Sequence, residues 1–272
     1  EAYEVIDLAP DRVVCRHRFE LTNYSGTRFQ LEVTRTVRLL SAAEVQTEIG
    51  NQTLSGAKAV GFESINTIKN VGATAWSKDT GLLSIWILGM FNASPKSTVV
   101  VPFQPGSDAD LGPAINDAYF GKVPADRLKV LDGVAYFRAD ANYRSKIGVS
   151  PRRAKPLLGS YDSQGHALTL VRYSLPAGVT DYVNSAWELQ ERPFGGDVVN
   201  SYNDGAPKPG AEQLGRFYEL ESSSPALALQ PGASATHKHL TLHVQGAINT
   251  LDQVAQTTLG VNLDAVRTAF SD

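Results

Sequence analysis

The sequence predicts an all-β protein: antiparallel sheets stacked face to face, with a short helical segment at the C-terminus. Three observations predict this. Runs of strand length in which apolar and polar residues alternate recur from Val13 to Val244. Turns carrying Asn and Gly separate them. A helical period shows only from Leu251 onward. The 272 residues suffice for one large core, and a single domain over residues 1–272 is the economical reading. The strands are too many for a small barrel, so large stacked sheets are the natural way to bury them.

In chain order, Phe19 and Leu21, the turn Asn23-Tyr24-Ser25-Gly26, then Phe29, Leu31 and Val33 read as a hairpin. Residues 37–40 and 41–49 read as its second strand continued or as another. Residues 60–70 alternate and close at Val71-Gly72. Residues 82–91 are too uniformly apolar for a half-exposed strand and too short to cross a bilayer. They predict a central strand buried on both faces, and period alone leaves a buried helix open. Residues 98–103 are a β-branched strand, followed by a Pro- and Gly-bearing loop to Pro113. Residues 119–128 read as an irregular loop leading into a strand. Residues 168–173 form another strand, with His166 at the turn before it. Residues 235–244 alternate cleanly and put His237, His239 and His243 on one face. No neighbouring carboxylate or cysteine completes a metal set there, so these histidines read as structural. Leu251, Val254, Ala255, Thr258 and Leu259 have helix spacing and stop at Gly260. Asn262 then caps a second short helix with Val266 and Phe270 inward.

A net charge of −3 gives no general reason to expect a nucleic-acid partner. No apolar run reaches the roughly 18 residues a membrane span needs, and the first residues lack a basic-then-apolar signal. The chain starts at Glu1 rather than Met, so a removed upstream segment is an expectation. The single cysteine, Cys15, excludes an intrachain disulfide and a multi-cysteine metal site. The compartment stays open, and export or a periplasmic location is compatible with one cysteine. No metal or cofactor is expected.

The chemistry concentrates in residues 184–232. Phe217-Tyr218-Glu219-Leu220-Glu221 alternates, so Glu219 and Glu221 project from one face of a strand. Such a pair suits either an acid–base site or a solvated edge strand. Ser201-Tyr202-Asn203-Asp204-Gly205 reads as a turn or loop. Upstream, residues 116–155 carry a local basic excess that includes Lys122, Arg127 and Arg144. Basic groups interleaved with aromatic ones suit an anionic ligand such as a uronate, sulfate or phosphate. Surface ion pairing is the other reading.

Phe217-Tyr218-Glu219-Leu220-Glu221, Pro225, Leu229-Gln230-Pro231-Gly232 and His237 resemble the end of the galactose mutarotase (aldose 1-epimerase) family. Gly61-Phe62-Glu63-Ser64, residues 81–91, residues 119–124, Arg144-Ser145-Lys146-Ile147-Gly148 and residues 199–205 resemble bacterial proteins of the same superfamily. This resemblance covers nearly the whole chain. It implies a galactose mutarotase-like β-supersandwich and a carbohydrate partner, and it puts the general base at Glu221. The family's acid is a histidine in an Asn-His-x-Tyr-Phe-like motif, which this chain lacks. Tyr119, Tyr202, Lys122 or Asp204 would have to substitute. The expected catalytic residues are thus Glu221, Tyr202 and Asp204. The expected substrate-binding residues are Lys122, Arg127, Arg144, Trp187, Asn200, Asn203 and Glu219. Two further readings stand beside an epimerase. In a polysaccharide lyase acting on an anionic sugar, Arg127, Lys122 and Asn203 would neutralise a uronate while Tyr202 takes a proton. In a non-catalytic binding module, Trp187, Tyr202 and Phe217 would stack on sugar faces, with Asp197, Asn200 and Asn203 on the hydroxyls.

Overall fold

A computed structural model describes residues 2–186 and 189–270 of the protein. In chain order the strands are β1 (Glu4–Ala9), β2 (Arg12–Thr22), β3 (Arg28–Leu39), β4 (Lys58–Asn70), β5 (Trp86–Asn92), β6 (Ser97–Pro102) and β7 (Leu128–Leu131). There follow β8 (Val134–Arg138), β9 (Ser145–Val149), β10 (Leu157–Asp162), β11 (Ala167–Tyr173), β12 (Val199–Asn203), β13 (Phe217–Ser223) and β14 (Ser234–Gln245). Ten of them form one sheet in the order β1-β2-β3-β4-β14-β11-β10-β6-β8-β7, and the other four form a second in the order β5-β13-β12-β9. Every pairing is antiparallel, as the alternating pattern requires.

The two sheets stack because each turns an apolar face to the other. Val99, Val101, Phe137 and Leu158 of the large sheet meet Ile147, Val149, Val199, Tyr218 and Leu220 of the small one. The opposite face of the large sheet is covered by three helices, α1 (Ala42–Glu48), α3 (Ile248–Leu259) and α4 (Leu263–Thr268); α2 (Asp108–Leu111) is a single turn. Leu251, Val254, Leu259, Leu263 and Val266 pack there on Val100, Leu168, Leu170 and Leu242. The C-terminal expectation holds in detail. Gly260 ends α3 at φ 71°, a left-handed conformation that a Cβ disfavours, and the Asn262 side chain accepts from Asp264 N–H at 2.7 Å.

Three expectations need correction, and one choice left open by the sequence is decided. Residues 41–49 are not strand but α1. Ser41-Ala42-Ala43-Glu44 is a capping box, in which Glu44 accepts from the Ser41 N–H at 2.8 Å and the Ser41 hydroxyl accepts from the Glu44 N–H at 3.3 Å. Residues 82–91 are not one central strand buried on both faces. Strand begins only at Trp86, and β5 is the edge of the small sheet with Trp86, Leu88 and Met90 on its more exposed face. Residues 201–203 are not a turn but the end of the fully buried β12. Glu219 and Glu221 do not lie on a solvated edge, since β13 is interior between β5 and β12.

His237 and His239 face the space between the sheets. The Ser222 hydroxyl lies 2.8 Å from His237 Nε2 and 2.8 Å from His239 Nδ1. Burial pushes the imidazoles down, His237 to about 4 and His239 to about 3, so both are neutral bracing groups.

Candidate active site

The site is the outward face of the small sheet. Because β13 alternates, Tyr218 and Leu220 enter the core while Glu219 and Glu221 project the other way. Strand register sets their neighbours in two rungs. One runs Lys146, Tyr202, Glu219, Met90, and the next runs Gly148, Asn200, Glu221, Leu88. This face is not left to solvent. Residues 119–120, 144, 185–186 and 214 join it in lining a partly open cavity of about 470 Å³. Trp86, Tyr119, Phe120 and Tyr202 supply aromatic walls, and Glu219, Lys146 and Arg144 supply the charged or acidic groups.

The two glutamates sit in different surroundings. Glu221 is completely buried, and its Oε2 accepts from Lys146 Nζ at 2.8 Å and from Trp86 Nε1 at 2.8 Å. Its Oε1 is buried without a hydrogen-bond partner among the described residues. Lys146 Nζ also lies 5.2 Å from the Trp86 ring centre and 5.3 Å from that of Tyr119, so the cation is held on several sides. Glu219, by contrast, lines the cavity. Burial and then the Glu221 charge push its carboxyl up to about 8, with the Lys146 charge acting in the opposite direction.

A carboxyl whose folded-state pKa is raised adds stability that is complete below its unfolded value of 4.5 and lost as the pH rises through about 8. The thermal midpoint of the wild type should therefore fall by a few degrees relative to Glu219→Gln between about pH 5 and about pH 8.5. A pH-independent difference between the two melting curves would contradict the placement of this carboxyl.

Two polar networks brace the walls. The Tyr202 hydroxyl donates to Asp204 Oδ1 at 2.6 Å, and Asp204 Oδ2 accepts from the Gly215 N–H at 2.8 Å. Burial, with the Asp204 contact next, pushes the Tyr202 phenol up to about 12. On the other side, Asp197 Oδ2 accepts from the Tyr119 hydroxyl at 2.7 Å and from Asn116 Nδ2 at 2.9 Å, while Asn200 Nδ2 donates to the Tyr119 oxygen at 2.9 Å. Burial raises the Asp197 pKa, and burial followed by the Asp197 charge raises that of Tyr119. Gly148 makes room for this network, since a Cβ there would stand 2.1 Å from Asp197 Oδ2.

Of the residues singled out from the sequence, Glu219, Tyr202 and Arg144 line the cavity, while Glu221, Asp204 and Asn200 lie against it as partners of its walls. Three lie elsewhere. Arg127 is buried in an ion pair with Asp140 and stacks over Tyr143. Lys122 is exposed and reaches Asp117 at 3.3 Å. Asn203 is on the inward side of β12, where its Oδ1 accepts from the Ala141 N–H at 2.8 Å and its Nδ2 donates to the Tyr143 carbonyl at 2.8 Å. The lyase constellation of Arg127, Lys122, Asn203 and Tyr202 is thus not assembled. Trp187 lies outside the described residues. The groups that the sequence reading passed over as site residues are Lys146, Trp86 and Phe120. Lys146 could have been found, because Lys146 and Gly148 alternate with Ser145, Ile147 and Val149 along β9.

Fold and site together define a class: an antiparallel β-sandwich protein whose smaller sheet carries an aromatic-walled cavity lined by one carboxyl, Glu219, with a second, Glu221, enclosed behind it. The chain belongs to a family of unknown function, DUF6786, whose model matches residues 1–270. No curated protein matches it in sequence. Among solved structures it is similar to the Slr1438 protein from Synechocystis sp. PCC 6803, at 12% identity and a TM-score of 0.49, covering 90% of this chain and 66% of that one. The chain thus spans a little under two thirds of that protein. It is similar to a galactose mutarotase-like protein from Lactobacillus casei ATCC 334, at 12% identity and a TM-score of 0.46, covering 89% and 72%. A galactose mutarotase related enzyme from Lactobacillus acidophilus gives 9% identity and a TM-score of 0.46, covering 89% and 71%. Likenesses this distant assign no chemistry to the cavity. No helix among the described residues is long and apolar enough to cross a membrane.

Proposed function

We propose that the cavity binds a carbohydrate and interconverts its anomers by aldose 1-epimerase-like acid–base chemistry. The observation that carries this reading is the pair of carboxyls on one face of β13 beneath aromatic walls, with different surroundings for each. Aromatic faces stack on the apolar faces of pyranose rings, while carboxyls and amides bind hydroxyls. Mutarotation requires one group to accept the anomeric hydroxyl proton and another to protonate the ring oxygen, so that the ring opens and recloses on the other face. A carboxyl that burial and a neighbouring charge keep protonated at neutral pH, beside polar groups able to take up a proton, suits that division. Exchange NMR on equilibrium mixtures of glucose, galactose, glucuronate and galacturonate tests the reading. The protein should raise anomer exchange above the buffer rate for at least one sugar, and buffer-rate exchange for all four would refute it.

A second observation favours an anionic sugar within this panel. The Arg144 guanidinium lies 3.9 Å from the Phe120 ring centre on the cavity wall and forms no ion pair to a carboxylate among the described residues. A guanidinium oriented in this way suits a carboxylate or phosphate on the ligand. Arg144→Ala should therefore weaken binding of the uronates about tenfold or more and that of the neutral sugars much less. Calorimetric titration would check this, and equal losses for both classes would assign Arg144 to packing alone.

A further inference from the structure

We infer that Glu219, rather than the enclosed Glu221, gives the proton to the ring oxygen, and that the Tyr202 phenol backed by Asp204 receives the proton of the anomeric hydroxyl. This inference rests on the carbohydrate reading and assigns its two proton transfers. Glu219 and Tyr202 are direct cross-strand partners in the β13–β12 register, and both line the cavity. Partners of this kind have Cβ atoms about 5 Å apart, a separation suited to acting on two oxygens attached to one anomeric carbon. Glu221 lies one rung away, fully buried, with Oε2 already engaged by Lys146 and Trp86. A ligand in the cavity meets Glu219 first.

The transfers balance. As the bond between the anomeric carbon and the ring oxygen breaks, its electron pair stays on that oxygen, which takes the Glu219 proton. The anomeric hydroxyl gives its proton to the Tyr202 oxygen while the phenol proton passes to Asp204 Oδ1, and the carbonyl of the open chain forms. Glu219 is left as a carboxylate and Asp204 as an acid. Rotation about the bond between the first two carbons presents the other carbonyl face, and the reverse transfers close the ring and restore both groups. The existing hydrogen bond from Tyr202 to Asp204, at 2.6 Å, is the path of the second proton, and the Gly215 N–H fixes the receiving carboxylate.

Glu221 then acts as a positioning residue. Burial, reinforced by the Glu221 charge, holds the proton on Glu219 up to about pH 8. Among the described residues, the other charged or titratable groups lining the cavity or acting on Glu219 are Lys146 from β9, Tyr202 from β12, and Tyr119, Asp204 and Arg144 from the adjoining loops. The test is anomer exchange across pH on the same four sugars, comparing wild type with Glu219→Gln, Tyr202→Phe and Glu221→Gln; thermal melts confirm folding. Glu219→Gln and Tyr202→Phe should each lose about 100-fold or more. Glu221→Gln should lose less and move the alkaline limb of the profile to lower pH. If Glu219→Gln keeps exchange within about threefold of wild type, the inference fails while the carbohydrate reading stands. A Glu221→Gln loss matching or exceeding that of Glu219→Gln, with no displaced limb, also overturns it. Should Glu221→Gln not fold, the Glu219 and Tyr202 variants decide alone. Wild-type exchange at the buffer rate for every sugar overturns the reading and the inference together.

Discussion

Replacing Lys146 by methionine is expected to destabilise the protein by about 3–5 kcal/mol in urea unfolding. Lys146 and Glu221 form an ion pair at 2.8 Å with side chains 9% and 0% exposed, so removing the cation leaves a carboxyl enclosed without its counter-charge. Methionine keeps most of the side-chain volume, so the loss reports charge rather than a cavity. Trp86 Nε1 would remain as the carboxyl's donor, too little to offset the desolvation of an anion. The double variant Lys146→Met/Glu221→Gln should recover part of the stability, because it removes the unpaired charge as well. A single-variant loss below about 1 kcal/mol, the range of an exposed pair, would mean that water reaches this site.

Gly148→Ala carries the second large effect. The added Cβ would lie 2.1 Å from Asp197 Oδ2 and 2.5 Å from Asn200 Nδ2, both closer than atoms can approach. Neither group can retreat freely. Asp197 is tied to Tyr119 and Asn116, and Asn200 to the Tyr119 oxygen and the Ile147 carbonyl. The expected cost is about 1–3 kcal/mol, together with displacement of the Tyr119 wall and a loss of sugar affinity. Gly195→Ala is the control, since a Cβ there meets only Arg192 at an ordinary 3.5 Å. Gly148→Ala that melts with the control and binds like wild type would contradict the close approach.

Much of the fold was legible in the sequence, for physical reasons. Alternation located β2, β3, β4, β11, β13 and β14, because strands buried on one face repeat every two residues. Leu259, Gly260 and Asn262 marked the helix boundary through a left-handed stop and a side-chain cap. Residues 82–91 misled for the same kind of reason. An apolar run implies burial on both faces only where nothing apolar is needed outside, and here Trp86 and Leu88 form a cavity wall. Ser201, Tyr202 and Asn203 looked like a turn because their polarity serves the site and the loops it braces, not solvent.

The site was legible residue by residue but not as an assembly. Glu219 and Glu221 showed their common face directly. What ties them to Lys146, Tyr119 and Asp204 is strand register and loop packing across about a hundred residues, which no local pattern encodes. Arg127 and Lys122 show the converse. Both belong to the basic run from residue 116 to 155, yet one is buried against Asp140 and the other points to solvent. The resemblance singled out Glu221 as the base, and only the three-dimensional arrangement separates the enclosed carboxyl from the one that meets the cavity.

The most direct measurement is a carboxyl-carbon NMR titration of Glu219 in the folded protein, assigned by its loss in Glu219→Gln. A midpoint near 8 is predicted, falling part of the way toward 4.5 in Glu221→Gln, because burial still holds it up once the neighbouring charge is removed. A wild-type midpoint at the ordinary value of 4.5 would contradict the claim that Glu219 is the cavity's proton-carrying group at neutral pH.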